Sequence, residues 1–295
     1  MKRKGISRRD NSILSFLLMV GPIIIVYMFI IIVMAKTFSL SLFEWSGFGG
    51  KVFVMFKNFI KLFNDYRFIY SIRNMFIFLV ITMVFQVAVG ILLAFLLTDF
   101  EFKRKGFFKT IIFLPVVISN VAVALYFIQF FDYHYGILNY FLTNIGLERV
   151  SLLGSGKDAF IFAVLPQTWQ YIGLMFIIAY TSFSTVSKDY IDASKIDGFT
   201  SFQRLKYIYI PISWSSLRAC FIIALVGPLK AFEHLWLLTN RGGSDQLSHI
   251  PSTLMYYLGF SNYEYGYGSA IGVFIFIVAA IFVVLFTKLT AKKNI

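Results

Sequence analysis

The sequence is poor in charge. Asp, Glu, Lys and Arg make up 14% of its 295 residues, against roughly 25% in ordinary soluble domains. Acid is the scarcer sign, with 14 Asp and Glu against 27 Lys and Arg. A chain that is 59% hydrophobic, with mean hydropathy +0.78, has too few polar groups to cover its apolar surface in water. A water-soluble globule is therefore excluded, and lipid must act as solvent. The single cysteine, Cys220, rules out an intrachain disulfide and reads as a small buried residue. The histidines His134, His234 and His249 are scattered, with no second histidine or carboxylate at ligand spacing. No phosphate-binding G-x-x-x-x-G-K-[ST], H-E-x-x-H, C-x-x-C or nucleophile elbow occurs. The expectation is a non-catalytic polypeptide holding no metal or cofactor of its own. The net charge of +13 sits on membrane flanks and is not interleaved with aromatics. That pattern suits anionic headgroups and speaks against nucleic acid.

What is present is a series of long apolar runs. A helical span needs roughly 20 apolar residues, and six stretches qualify: 13–35, 74–97, 110–131, 160–186, 213–239 and 268–288. They are continuous rather than alternating, which favours an all-α polytopic protein over a β-barrel. The first stretch follows Lys2, Arg3, Lys4, Arg8 and Arg9 but is longer than a signal-peptide core, so it reads as an uncleaved helix. Lys and Arg are densest in the tail 1–12, the loops 99–109 and 187–212, and the tail 289–295. This places both termini and the loop 187–212 in the cytoplasm, around a transmembrane domain of residues 13–288.

The segment 188–211 is built differently from the other polar connections. Ser187 suits a helix cap, with Asp189 at the positive helix end. Gly198 allows a sharp reversal, and Thr200-x-x-Gln203 fits a capping box that restarts the helix. Phe199, Phe202, Leu205 and Tyr209 fall on one face at helical spacing, and Pro211 turns the chain into the fifth span. A helix–turn–helix lying against the membrane is expected.

This segment resembles the signature loop of binding-protein-dependent ABC importer permeases: Glu-Ala-Ala, three residues, Gly, nine residues, Ile, one residue, Leu-Pro. Here it reads Asp192-Ala193-Ser194, Gly198, Ile208, then Ile210-Pro211, with the spacing kept. The departures (Asp for Glu, Ser for Ala, Ile for Leu) preserve charge, size and bulk. Further blocks resemble the sugar-type permeases, in particular the first permease of maltose or glycerol-phosphate systems. They are Lys105-Gly-Phe-Phe-Lys-Thr110, Phe113-Leu-Pro-Val-Val-Ile-Ser119, Asp132-Tyr-His-Tyr-Gly-Ile-Leu-Asn139, Trp169-Gln-Tyr-Ile-Gly173, and Lys230-Ala-Phe-Glu233 through Leu238-Thr-Asn-Arg-Gly-Gly243. The usual proline after the last block is replaced by Ser244.

The resemblance implies a type I ABC importer permease fold in a bacterial cytoplasmic membrane, carrying a sugar or oligosaccharide. It implies as partners a second related permease, a cytoplasmic ABC ATPase dimer that uses the ATP, and an extracytoplasmic solute-binding protein. Asp192, Ala193, Ser194, Gly198, Phe199, Phe202, Ile208 and Pro211 would then form the coupling helix that meets the ATPase. Nothing intrinsic to the chain excludes a homodimer, and a permease for a non-sugar solute stays open. A secondary transporter fits less well, because no inverted repeat or coupling-ion residue is visible. Polar groups inside spans usually face a cavity or another helix. Asn120, Gln167, Trp169, Gln170, Tyr171, Lys230 and Glu233 are thus candidates for the substrate path, with interhelical hydrogen bonding as the alternative. Pro166 and Pro228 are expected to bend their helices beside it. Gly90-x-x-x-Ala94 and Gly268-x-x-x-Gly272 allow close helix approach without identifying an interface.

Overall fold

Lipid offers the backbone no hydrogen-bond partners, so each apolar run must satisfy its own amides, and each folds as helix. The structure is a computed structural model and describes residues 8–153 and 157–290. The remainder of the expected tails, with Lys2, Arg3, Lys4, Lys292 and Lys293, lies outside the described residues.

In chain order, α1 (Arg8–Ser41) leads into a hairpin of β1 (Phe43–Glu44) and β2 (Val52–Phe53), paired antiparallel with Phe43 opposite Phe53. Next come α2 (Lys57–Asn64), α3 (Tyr66–Ile81), a π-helical turn at Thr82–Val87 and α4 (Ala88–Asp99), the last three forming one span, Tyr66–Asp99. α5 (Lys105–Val117), α6 (Asn120–Phe130), α7 (Ile137–Asn144) and α8 (Lys157–Phe183) come after it. Then come α9 (Lys188–Ile196), α10 (Ser201–Arg204), a π-helical turn at Leu205–Tyr209, α11 (Ile210–Ile212) and α12 (Trp214–Lys230). The chain ends with α13 (Glu233–Leu238), α14 (Pro251–Tyr256), a third π-helical turn at Tyr257–Ser261, and α15 (Tyr265–Thr290).

Among the described residues, four helices are long and apolar enough to cross a membrane, rising to six if each sharply bent pair is one span. The first, second and sixth helices overrun the expected limits at both ends, the third and fourth start early but end short, and the fifth stops at Lys230. α1 covers 8–41 around the expected 13–35 because no Gly or Pro stops it where the apolar run ends. The third stretch is not a straight helix. α5 and α6 meet at 94°, because Ile118 and Ser119 adopt extended backbone at the junction. The fifth stretch is interrupted as well: α12 stops at Lys230 and Ala231 is extended before α13 begins. α8 and α12 continue through Pro166 and Pro228, so the breaks lie elsewhere than at the two prolines expected to bend these helices. They lie at carbonyls that other helices satisfy. The Gln170 Nε2 donates to the Ile118 carbonyl at 2.8 Å, and the Ser252 hydroxyl donates to the Ala231 carbonyl.

Small residues set the tightest contacts. α4 lies along α8, where a β-carbon on Gly90 would sit 2.6 Å from Met175 Cβ and 3.0 Å from the Phe176 nitrogen. Gly268 approaches the Gly259 backbone and Gly272 the Met255 sulfur. Both small-residue pairs noted in the sequence are thus used within the chain. α1 packs along α15 yet buries none of its apolar window, which leaves that face to lipid or a neighbour.

Candidate functional site

The loop between α8 and α12 is held by local chemistry at each turn. The Ser187 hydroxyl accepts from the Asp189 amide at 3.3 Å, capping α9. α9 ends in a Schellman arrangement, with the Phe199 amide donating to the Ser194 carbonyl and the Gly198 amide to that of Lys195. Gly198 has φ +76°, the left-handed conformation that glycine adopts without penalty. The capping box closes on both sides: Thr200 Oγ1 accepts from the Gln203 amide at 3.3 Å, and Gln203 Oε1 accepts from the Thr200 amide at 2.7 Å.

A buried ion pair anchors this loop to the end of the second span. The Asp99 side chain is fully buried and that of Arg204 is 10% exposed. Arg204 Nε donates to Asp99 Oδ1 at 2.9 Å and Nη2 to Oδ2 at 2.6 Å. The same guanidinium donates to the Phe199 carbonyl at 2.8 Å and the Ser201 hydroxyl at 3.0 Å, while the Tyr209 hydroxyl donates to Asp99 Oδ1 at 3.4 Å. Removing one member of such a pair costs about 3–5 kcal/mol, because the other charge is left buried alone. The Tyr209 ring packs between Phe95 and Phe183, at 5.5 and 5.2 Å.

The residues proposed from sequence are distributed unevenly over this frame. Ser194 is buried, its hydroxyl donating to the Ile191 carbonyl at 2.6 Å. Phe199 and Ile208 are half-buried, and Asp192, Ala193, Gly198 and Pro211 are exposed. Asp192 faces Lys195 at 3.7 Å. The single aromatic face expected for the second arm is split. Tyr209 is buried and Leu205 packs beside it, whereas Phe202 is 71% exposed. The π-helical turn at Leu205–Tyr209 adds a residue to the winding and rotates the later positions away from the Phe202 face. The exposed apolar side chains of the loop are Tyr190, Ile196, Phe202 and Tyr207, at 62, 87, 71 and 58% exposure. Tyr190, Ile196, Asp99 and Arg204 were missed in the sequence. The available signals were a lone acid ending a long apolar run and an arginine immediately after a capping box.

Inside the helices, the two breaks meet. Asn120 opens α6 and Glu233 opens α13, and these short helices pack together. Asn120 Nδ2 lies 3.5 Å from Glu233 Oε2, and the Tyr171 hydroxyl of α8 donates to Asn120 Oδ1 at 3.1 Å. An acid, an amide and a phenol therefore converge, each partly exposed, a set able to exchange hydrogen bonds with hydroxyl groups. Gln170 sits beside them but is fully buried and serves the Ile118 carbonyl. Its Oε1 and that of Gln167 are buried with no protein partner. Trp169 is 46% exposed and contacts Phe127. Lys230 stands apart, lining a cavity of about 590 Å³ with Phe232, Tyr256 and Phe276.

The opposite pole is tied down by a second set of charges. Asp65 caps α3, accepting from the Arg67 amide at 2.9 Å, from its guanidinium at 3.1 and 2.8 Å, and from the Tyr267 hydroxyl at 3.0 Å. Burial alone would raise the Asp65 carboxyl. The hydrogen bonds from Arg67 and Tyr267 and the Arg67 charge outweigh it and hold the group below the usual range.

Residues 86–294 match the family described as binding-protein-dependent transport system inner membrane component. The chain is 31% identical over 274 residues to the probable ABC transporter permease protein YurN of Bacillus subtilis, covering 91% of this chain and 93% of that one. It is 28% identical to the multiple sugar-binding transport system permease protein MsmF of Streptococcus mutans, covering 97% and 98%. It is 25% identical to the trehalose/maltose transport system permease protein MalF of Thermococcus litoralis, covering 93% and 92%. Its fold is similar to a chain in the crystal structure of a bacterial alginate ABC transporter complexed with its pentasaccharide-bound periplasmic protein. There the TM-score is 0.82 at 23% identity, with 97% of this chain and 96% of that chain covered.

Proposed function

Because this chain belongs to the family of binding-protein-dependent transport system inner membrane components, we propose that it forms half of the pathway of an ATP-driven importer of a sugar or oligosaccharide. The observation that carries the coupling part of this reading is the loop 188–211. It is rigidly capped, fastened to the second span by a buried ion pair, and presents Tyr190, Ile196 and Phe202 outward. Apolar side chains on a short polar loop fit a groove on a protein partner rather than water. In this reading the loop faces the cytoplasm, consistent with the density of Lys and Arg on that side, and the partner is a separate ATPase. A second permease and an extracytoplasmic binding protein complete the assembly. The chain itself hydrolyses nothing and holds no cofactor, ATP being used by the partner.

The sugar reading rests on the relatives named for sugar transport and on the Asn120–Tyr171–Glu233 convergence, whose groups suit hydroxyl-rich solutes. Lys230, Trp169 and Gln167 do not join that convergence through any direct hydrogen bond, and Gln170 acts there as a support for the broken third span.

The test is purification of the chain co-expressed with its neighbouring transport genes. Mass spectrometry should find an ATPase and a second permease. Phe202→Ala should reduce ATPase recovery several-fold while the two membrane subunits stay together. Full ATPase recovery with Tyr190, Ile196 and Phe202 all changed to Ala would contradict the docking role.

A further inference from the structure

We infer that Asp99 and Arg204 are positioning residues, joining the loop to the second span so that loop displacement moves α4. This inference rests on the proposed coupling to an ATPase. The geometry of one guanidinium carries it. Arg204 holds the Phe199 carbonyl in the turn, the Ser201 hydroxyl at the start of the second arm, and both oxygens of Asp99, the last residue of α4. A displacement of α9 reaches the turn through the Gly198 reversal and meets Arg204 there. Tyr209 adds a long hydrogen bond to the same carboxylate, at 3.4 Å, and its ring packs on Phe95. Apolar contact is non-directional and lets surfaces slide. A two-bond fork on a buried carboxylate fixes both distance and direction. Ion pairs of this kind are not needed for stability, since packed apolar residues serve equally well.

Beyond the junction, the span is arranged to respond as a lever. α4 lies so close to α8 at Gly90 that the two must shift together. At the other end of α4, the π-helical turn Thr82–Val87 separates it from α3. There Thr82 Oγ1 also approaches the Ala224 carbonyl of α12, at 3.3 Å. Such a widened turn is a place where a helix can change direction. α3 is held beyond it by Asp65, Arg67 and Tyr267. Displacement at Asp99 is then expected as a change of angle at residues 82–87.

The experiment uses the complete complex in nanodiscs, on a Cys220→Ser background. Nitroxides are placed at Ile69→Cys and Leu96→Cys, on either side of the π-helical turn. The 69–96 distance is read by electron spin resonance without nucleotide and after trapping with ATP and vanadate. Trapping should shift the distance in the unsubstituted complex, and the shift should be lost in Asp99→Asn and Arg204→Gln while ATP hydrolysis continues. Arg204→Lys, which keeps the charge but not the fork, should give a reduced shift. An equal shift in all variants would overturn the inference, as would the absence of any shift in an unsubstituted complex that hydrolyses ATP. Failure of even Arg204→Lys to assemble would assign the pair a purely structural role and overturn it too. Failure of the coupling reading itself would show separately, as a purified complex containing no ATPase.

Discussion

The two ends of the second span use the same three residue types for different purposes. At one end Asp65 is held by Arg67 and the Tyr267 hydroxyl, and at the other Asp99 is held by Arg204 and the Tyr209 hydroxyl. Arg67 lies two residues from its acid, whereas Arg204 lies 105 residues from its own. A local pair folds with the helix it caps and starts it, and the Tyr267 hydroxyl adds a tie to α15. A long-range pair joins elements that have separate reasons to be where they are. Separation between the two charged partners along the chain, rather than their chemistry, distinguishes a cap from a joint.

The comparison breaks if equivalent substitutions at the two ends behave alike. The largest effect is expected from Arg204→Gln, which strands the buried Asp99 carboxylate at about 3–5 kcal/mol. In proteoliposomes it should lower ATP-driven uptake at least about tenfold, whereas Arg67→Gln, which keeps the capping bond to its own amide and removes only the guanidinium bonds to Asp65, should leave uptake per assembled complex unchanged. Gly198→Ala should come next. Its β-carbon has open space, so the cost is the left-handed backbone alone, about 1–2 kcal/mol, and thermal unfolding of the purified complex should register it. Asp65 gives a smaller, pH-dependent effect. Its depressed carboxyl contributes stability that is complete above the ordinary carboxylate range and lost as pH falls through the lowered value. Asp65→Asn should flatten that part of the acid-denaturation profile. The smallest change is expected from Asp192→Ala. Its pairing with Lys195 is solvent-exposed, worth no more than about 0.5 kcal/mol, and a melting curve should barely move.

The sequence made the helical class, the helix–turn–helix and its caps legible, because each arises from short-range rules. Ser187, Gly198 and the Thr200–Gln203 box act on backbone groups within a few residues, and the structure satisfies all of them. The π-helical turn at Leu205–Tyr209, which runs directly into Pro211, was not read from the helical spacing, and it divided the expected aromatic face. The breaks at Ile118 and Ala231 were hidden as well. Their carbonyls are served by Gln170 and Ser252 from other helices, partners too far along the chain for any local signal to announce. Gln170 illustrates the difficulty: a polar residue in a span looks like a ligand contact until the carbonyl it supports is seen. The Asn120–Tyr171–Glu233 convergence also depends on three separate helices, and no spacing in the chain encodes it.

A separate ATPase is proposed to drive this chain through the loop 188–211. The measurement is uptake of whichever radiolabelled sugar the binding protein retains, into proteoliposomes holding the complete complex and its binding protein, with ATP supplied on the ATPase side. The comparison is between the unsubstituted chain and Gly198→Glu at equal membrane levels. Coupling through the loop predicts ATP-dependent uptake that Gly198→Glu abolishes while ATP hydrolysis persists. Full uptake by Gly198→Glu, or uptake driven by an ion gradient without ATP, would contradict it.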